Sequence, residues 1–245
     1  MSNPYEANKI LAEYLLFHYG AAEEILPLDR GWPAGMHEAL DFPARTAAHF
    51  SPGRVARGLD LGCAVGRATF EMALTCDEVV AMDFSHAFIQ AAETLRQGGT
   101  ITYNRREEAA LSTPLEAKLP TALEGTKVRF FQGDAMDLPT DLGAFERVHA
   151  ANLLCRLPRP RLLLDRLPDL VKPGGELVLA TPCTWLEEFT PPENWPDKST
   201  SDWLHDYLIA DFELVRRAEE PFLIRETARK FQWTTSLVTV WRRRG

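Results

Sequence analysis

Cysteine is sparse: four stand in 245 residues, at positions 63, 76, 155 and 183, and no two form a C-x-x-C pair. That spacing argues against both a zinc ribbon and a disulfide framework. The six histidines are equally scattered, with no H-E-x-x-H and no paired spacing, so no transition-metal site is expected. Long apolar runs are missing too. The longest, such as 162–164 and 177–180, fall far below the ~20 residues that span a bilayer. Residues 1–9 carry polar and acidic groups where a secretory leader needs a basic cluster and an apolar stretch, so a cytoplasmic location and no membrane partner are expected. Positive charge is in deficit. Lysine plus arginine total 27 against 35 acids, a net charge of -8, which repels polyphosphates and makes nucleic acid a poor partner. The one basic cluster, 242–244, reads as a solvated tail.

What is present is an ordinary globular composition, 45% hydrophobic and 25% charged, able to bury a sizeable core. The length suits one α/β domain with additions. Residues 6–18 place Ile10, Leu11, Tyr14, Leu15 and His18 near one helical face, and Gly20 offers a stop. A second helix is expected over 36–50, so that 1–52 form a helical cap. After Ser51-Pro52-Gly53 the texture alternates: strand 55–61, helix 66–75, strand 78–83, and helix 85–97 with Ser85 as its cap. Polar residues 98–126, broken by glycine and proline, read as an insertion of weak structure. The pattern resumes with strands 127–132, 147–151 and 176–180 and helices 159–170 and 201–210. The last two strands, 212–217 and 231–241, lack a crossover helix between them and are expected to pair antiparallel. The whole predicts a doubly wound, mostly parallel sheet with an antiparallel last strand over 53–245.

The segment Gly58-Leu-Asp-Leu-Gly-Cys-Ala-Val-Gly-Arg67 joins the first strand to its helix, where backbone N–H groups approach a ligand. A dinucleotide loop wants G-x-G-x-x-G, whereas here the corresponding positions are Gly62, Ala64 and Arg67; no P-loop occurs. The run resembles the first motif of class I S-adenosylmethionine-dependent methyltransferases, acidic-x-Gly-x-Gly-x-Gly. Asp60, Gly62 and Gly66 match, and Ala64 replaces the central glycine. That cofactor has an amino group and a sulfonium and no phosphate, so a carboxylate beside the loop is favourable. Two glycines in such a turn serve structure as readily as a ligand, but two further acids at successive strand ends add weight. Asp83 ends the second strand about 20 residues on, placed to accept a ribose's two hydroxyls, although it also suits the dipole of the helix after it. Asp134, after Phe131-Gln-Gly, matches the position that accepts the adenine amino group. Cys63, Phe84, Ala135 and Asn152 are expected to line the same crevice.

Methyl transfer needs alignment, desolvation and removal of an acceptor proton, with no metal. Segments after the parallel strands should meet the acceptor. Asn152-Leu-Leu-Cys155 lacks the Pro-Pro-aromatic element of base-modifying methyltransferases, and Arg156 beside it is a substrate candidate. The long aromatic segment 181–195 offers Trp185 as a wall, or as an anchor to the core. Segment 220–230 offers Arg225, Glu226, Arg229 and Lys230, both charge signs, for a zwitterionic amino acid. In the cap, Arg45 is a candidate for the cofactor's carboxylate and Tyr14 or Tyr19 for the face toward the methyl, with simple helix packing the alternative.

Asn3-Pro-Tyr-Glu, Tyr14-Leu-Leu-Phe-His-Tyr-Gly20, the glycine loop, Thr184-Trp-Leu-Glu-Glu-Phe-Thr190 and Ile224-Arg-Glu-Thr-Ala-Arg-Lys-Phe-Gln-Trp233 together resemble the 4-mercaptohistidine N-methyltransferases, the C-terminal domain of ovothiol-pathway 5-histidylcysteine sulfoxide synthases. The resemblance spans nearly the whole chain. It implies methylation of the π nitrogen of a 4(5)-thiohistidine, or its selenium analogue, with S-adenosylhomocysteine as co-product. It also implies a separate sulfoxide synthase upstream, since no metal-binding histidine cluster is present. Glu187, Glu188 and Glu226 are candidates to take the ring proton, unranked. The alternatives are another small aromatic or amino-acid acceptor, or a cofactor-binding protein without turnover.

Overall fold

The computed structural model describes residues 4–27, 30–125 and 127–245. Asn3 of the Asn3-Pro-Tyr-Glu segment therefore lies outside the described residues, as do positions 28, 29 and 126 of the expected cap and insertion.

Seven strands build the central sheet. In chain order they are β1 (Val55–Leu61), β2 (Cys76–Asp83), β5 (Val128–Gln132), β6 (Phe145–Ala151), β7 (Val171–Thr181), β8 (Phe212–Arg225) and β9 (Phe231–Arg243); β3 (Ile101–Glu108) and β4 (Leu111–Ala117) form a separate hairpin. The order across the sheet is β5-β2-β1-β6-β7-β9-β8. The first five run parallel, and β9 pairs antiparallel with both β7 and β8. Two halves wound outward from β1 and β6 leave a crevice at the carboxyl ends where the order reverses.

The alternation of side chains divides the core into two layers. Val178, Ala180, Val238 and Val240 face α3 (Phe42–Ala47) and α4 (Arg67–Ala73), packing on Phe42, Phe70 and Met72. Leu177, Leu179 and Trp241 face the other way, toward Leu163, Leu164 and Leu167 of α6 (Pro160–Leu170) and Trp203 and Leu204 of α7 (Thr200–Leu208). A third cluster joins Leu15 and Leu16 of α1 (Asn8–Tyr19), Ile25 of α2 (Ala22–Ile25), Phe88 and Leu95 of α5 (His86–Arg96), and Tyr103 and Ala117 of the hairpin.

Three expectations need correction. The helix expected over 36–50 is only α3, because Asp41 takes a left-handed φ of 55° and Pro43 fixes the first turn behind it. The insertion is an ordered ribbon: Ile101, Tyr103, Arg105 and Glu107 alternate inward with exposed residues, a period-two pattern hidden by polar composition. And β8 runs on to Arg225, so the first half of the expected 220–230 loop is strand.

Candidate active site

The glycine turn is held to the end of β2 by its own backbone. The N–H groups of Gly62 and Cys63 both donate to the Met82 carbonyl, at 2.8 and 3.0 Å, and the Ala64 N–H donates to Asp83 Oδ2 at 2.9 Å. Asp83 Oδ1 accepts from the Ser85 N–H at 2.8 Å, tying the same carboxylate to the start of α5. Gly62, Ala64 and Gly66 all have positive φ, 71°, 47° and 89°. The turn therefore keeps the conformation that the glycine motif encodes even where alanine stands in it. At Gly66 a Cβ would lie 2.8 Å from Phe130 Cζ, so here glycine is a packing requirement as well.

Burial is the main influence on Asp83, pushing its carboxyl up to about 6 against the opposing backbone donors, with Asp60 adding to the rise. Beside it Phe84 is 56% exposed, an aromatic face open at the crevice. Across β2, the Gly133 N–H donates to the Asp83 carbonyl, and Asp134 closes a turn by accepting from the Met136 N–H at 2.8 Å, with Ala135 buried behind it. These residues come together where the carboxyl ends of β1, β2 and β5 meet the glycine turn, and they bring acceptors and an aromatic ring. Such a set of acceptors could hold a nucleoside without phosphate, with Asp83 toward ribose hydroxyls and Phe84 and Asp134 toward the base.

Asp60 does something else. It is 1% exposed, accepts from Thr69 Oγ1 at 2.6 Å and pairs with His149 Nδ1 at 2.8 Å, so both its oxygens are occupied beneath the turn. The expected direct hold on the cofactor's amino group is replaced by a brace linking β1, α4 and β6. Cys63 is buried, its thiol pushed well up by desolvation. Asn152 has a φ of 54° and accepts from Ser236 Oγ at 2.7 Å, fixing the end of β6 to β9.

The cap reaches the turn through α1. Tyr19 donates its hydroxyl to the Val65 carbonyl at 2.8 Å, and Arg67 donates to the His18 carbonyl at 3.0 Å. Tyr14 packs on Phe88 with ring centroids 4.8 Å apart. Burial raises both tyrosine hydroxyls far above their ordinary range and lowers the His18 imidazole to about 3. Tyr5 and Glu6 belong to a segment noted in the sequence but were given no place at the site. The Glu6 carboxylate accepts the His86 and Ala87 N–H groups at 2.8 and 3.2 Å, capping α5, while the Tyr5 carbonyl accepts from Ser85 Oγ. The Tyr5 ring meets Phe88, Tyr14 and Phe189, joining the cap to the segment after β7. No local spacing signals a contact across 80 residues.

Among the acceptor candidates, Arg156 donates to the Thr184 carbonyl at 2.9 Å and lies 4.9 Å over the Phe189 ring, bridging the segments after β6 and β7. Trp185 donates through Nε1 to Thr200 Oγ1 at 2.9 Å and meets Trp203 edge-on. Glu187 and Glu188 are exposed on the turn beyond. Four others are placed differently from expectation. Arg45 is consumed by Glu220 and by the Leu40 and Pro221 carbonyls, so it has no free fork for a carboxylate. Arg225 is 4% exposed and donates to the Glu24 and Ile25 carbonyls and to Glu107, stapling cap, hairpin and β8. Glu226 is paired with Lys230 at 2.6 Å, which holds its carboxyl below the ordinary range, the opposite of what a general base requires. Arg229 is exposed in the turn between β8 and β9, its N–H donating to Thr227 Oγ1 at 3.2 Å.

Residues 59–179 match the family described as "Methyltransferase domain". The match covers just under half of the chain, and the strand order around it is that of the class I methyltransferase fold. It is 30% identical over 123 residues to a demethylmenaquinone methyltransferase of Clavibacter sepedonicus, covering 50% of this chain and 40% of that protein. An O-methyltransferase of Penicillium expansum is 25% identical over 130 residues, 53% of this chain and 39% of that one, so the chain spans about two fifths of the length of these curated relatives. In fold, the chain resembles the N-methyltransferase NodS of Bradyrhizobium japonicum in complex with S-adenosyl-l-homocysteine, with a TM-score of 0.54 and 16% identity over 95% of this chain and 98% of that one. It resembles equally the YcgJ protein of Bacillus subtilis, with a TM-score of 0.56 and 12% identity over 83% and 98% of the two chains. Among the described residues no group of three or more histidine, cysteine, aspartate or glutamate side chains is placed to hold a metal, and no helix is long and apolar enough to cross a membrane.

Proposed function

We propose that this protein transfers a methyl group from S-adenosylmethionine to the π nitrogen of a 4(5)-mercaptohistidine, or of its selenium analogue, made by a separate upstream enzyme. The observation that carries the transfer is the clasp of Asp83 on the Ala64 N–H within a three-fold positive-φ turn, which leaves the carboxylate's remaining lone pairs and the Phe84 face at the crevice. What supports the acceptor is the resemblance carried by motifs outside that turn, from Pro4-Tyr5-Glu6 to the 224–233 segment.

When bound, the cofactor supplies an electrophilic methyl on a sulfonium. The chain's part is positional. Asp83, Phe84 and Asp134 hold the nucleoside; the turn, locked by Tyr19 and the Asp60 brace, sets its depth; and Arg156 with Phe189 forms the wall beside Asn152. The π nitrogen first gives up its proton to water or to Glu187 or Glu188 at the rim, and the lone pair so freed takes the methyl as the bond from methyl to sulfur breaks and neutral adenosylhomocysteine is left.

The test is a mass-spectrometric assay offering 4-mercapto-L-histidine, its seleno counterpart and L-histidine with methyl-labelled cofactor. A π-methylated thiol or selenol product is expected, and labelling of none of them overturns the acceptor. Asp83→Asn should weaken adenosylhomocysteine binding about 10- to 100-fold in calorimetry, the loss of a charge-assisted acceptor pair; unchanged affinity overturns the cofactor assignment.

A further inference from the structure

A cavity of about 790 Å³ opens on the α7 side of the sheet, beyond the residues assigned to the cofactor. Its size is that of a small-molecule site. Pro182 and Cys183, the two residues after β7, form one rim, so its contents lie at the same end of the sheet as Asn152 and the glycine turn. Trp185 is a fixed wall, held by its bond to Thr200 and by Trp203. Thr235 and Leu237 of β9 supply the floor.

Arg217 and Glu219 of β8 also line it. Alternate residues of a strand share a face and stand about 7 Å apart. On the opposite face of the same strand the two neighbouring charges are spent: Arg216 donates to the His49 carbonyl, and Glu220 binds Arg45 and His49. Arg217 and Glu219 make no ion pair among the described residues. The other charges around the cavity are committed, Lys198 to Asp206 and Asp202 to the Ser199 cap. Thr239, the partner of Arg217 across the hairpin and so on the same face, keeps a buried hydroxyl without a hydrogen-bond partner below the floor. An anion alone would meet Glu219, and a cation alone would meet Arg217. A ligand carrying both signs a few ångströms apart satisfies both.

Resting on the methyl-transfer reading above, we infer that this cavity holds the α-amino-acid head of the acceptor, with its carboxylate on Arg217 and its ammonium on Glu219. The charged pair sought in sequence at 225–230 is thus supplied by the preceding stretch of β8, on the face turned to α7.

Calorimetry on protein saturated with adenosylhomocysteine tests it, titrating 4-mercapto-L-histidine, L-histidine, histamine and imidazole-4-propionate. The zwitterions should bind most tightly. Arg217→Ala should weaken them and the propionate at least about tenfold and leave histamine unchanged, and Glu219→Gln should weaken them and histamine while sparing the propionate. Neither residue is buried, and adenosylhomocysteine affinity should not change in either variant. Zwitterion affinity equal to wild type in both variants overturns the assignment, as does a wild-type protein that binds adenosylhomocysteine and ignores both zwitterions. A protein that fails to bind adenosylhomocysteine overturns the methyl-transfer reading instead.

Discussion

Two regions at the carboxyl end of the parallel sheet are built on opposite plans. At β1, β2 and β5 polar groups are bonded inward: Asp60 to His149 and Thr69, Asp83 to Ala64 and Ser85, Asp134 to Met136. At β7, β8 and β9 the charges of Arg217 and Glu219 face an open cavity without an ion-pair partner among the described residues. The family match ends at residue 179, just short of the segment that starts the second wall. The matched region is therefore fixed largely by backbone and carboxylate bonds, whereas the region proposed to tell one acceptor from another is left to side chains without such ties.

The comparison breaks most sharply at Gly66. A side chain there faces a φ of 89° and contacts of 2.8 Å to Phe130 and 3.2 Å to Ala92, so Gly66→Val should cost about 3–5 kcal/mol from strain and overpacking together. A melting curve checks it, and a normal transition temperature would show that the first wall is not rigid. Next in size is Arg225→Met. Removing the guanidinium strands the Glu24 and Ile25 carbonyls and takes a partner from Glu107, a loss of about 2–4 kcal/mol. If Arg225 is a staple, the melting temperature falls while the acceptor KM, measured well below it, stays at the wild-type value. A raised KM with unchanged melting would return it to the acceptor wall.

The same contrast explains what was legible in the residues. The mostly parallel sheet with its antiparallel last strand was readable, and Asp60, Gly62, Gly66, Asp83 and Asp134 were easy to locate on it because each lies within a few positions of a strand end, where local pattern fixes place. Their hydrogen bonds were not: Asp60 has the motif's position but turns toward His149, 89 residues away. Arg45 and Arg225 looked free because the partners that consume them, Glu220 and Glu107, are remote in sequence. The hairpin was hidden by Pro114 and by its polar outward face, and Tyr5 and Glu6 by the distance to α5.

A pH profile sharpens the first wall. The Asp83 carboxyl in the free protein titrates at about 6, raised by burial, and its charged form is the better acceptor for a hydroxyl. Affinity for adenosylhomocysteine should be level above that pH and fall as pH drops through it, by as much as about tenfold per unit. The sign is set by protonation, which removes an acceptor. Asp83→Asn should flatten this limb at a uniformly lower affinity; an acid limb that survives the substitution belongs to another group.

The smallest effect separates the turn's shape from its side chains. Ala64 holds a φ of 47°, a left-handed conformation that costs an alanine about 1 kcal/mol and a glycine almost nothing. Against that gain, Ala64→Gly gives up a nearly buried methyl, worth about 0.8 kcal/mol, and loosens the unfolded chain. The terms nearly cancel, so melting should move by no more than about 2 °C, and adenosylhomocysteine affinity should be kept because the N–H to Asp83 remains. Ala64→Val keeps the burial but worsens the strain, since a β-branched residue is a poor fit to positive φ, and should lower both stability and affinity. If valine were tolerated as well as glycine, the turn could not be as tightly determined as its bonds to Met82 and Asp83 require.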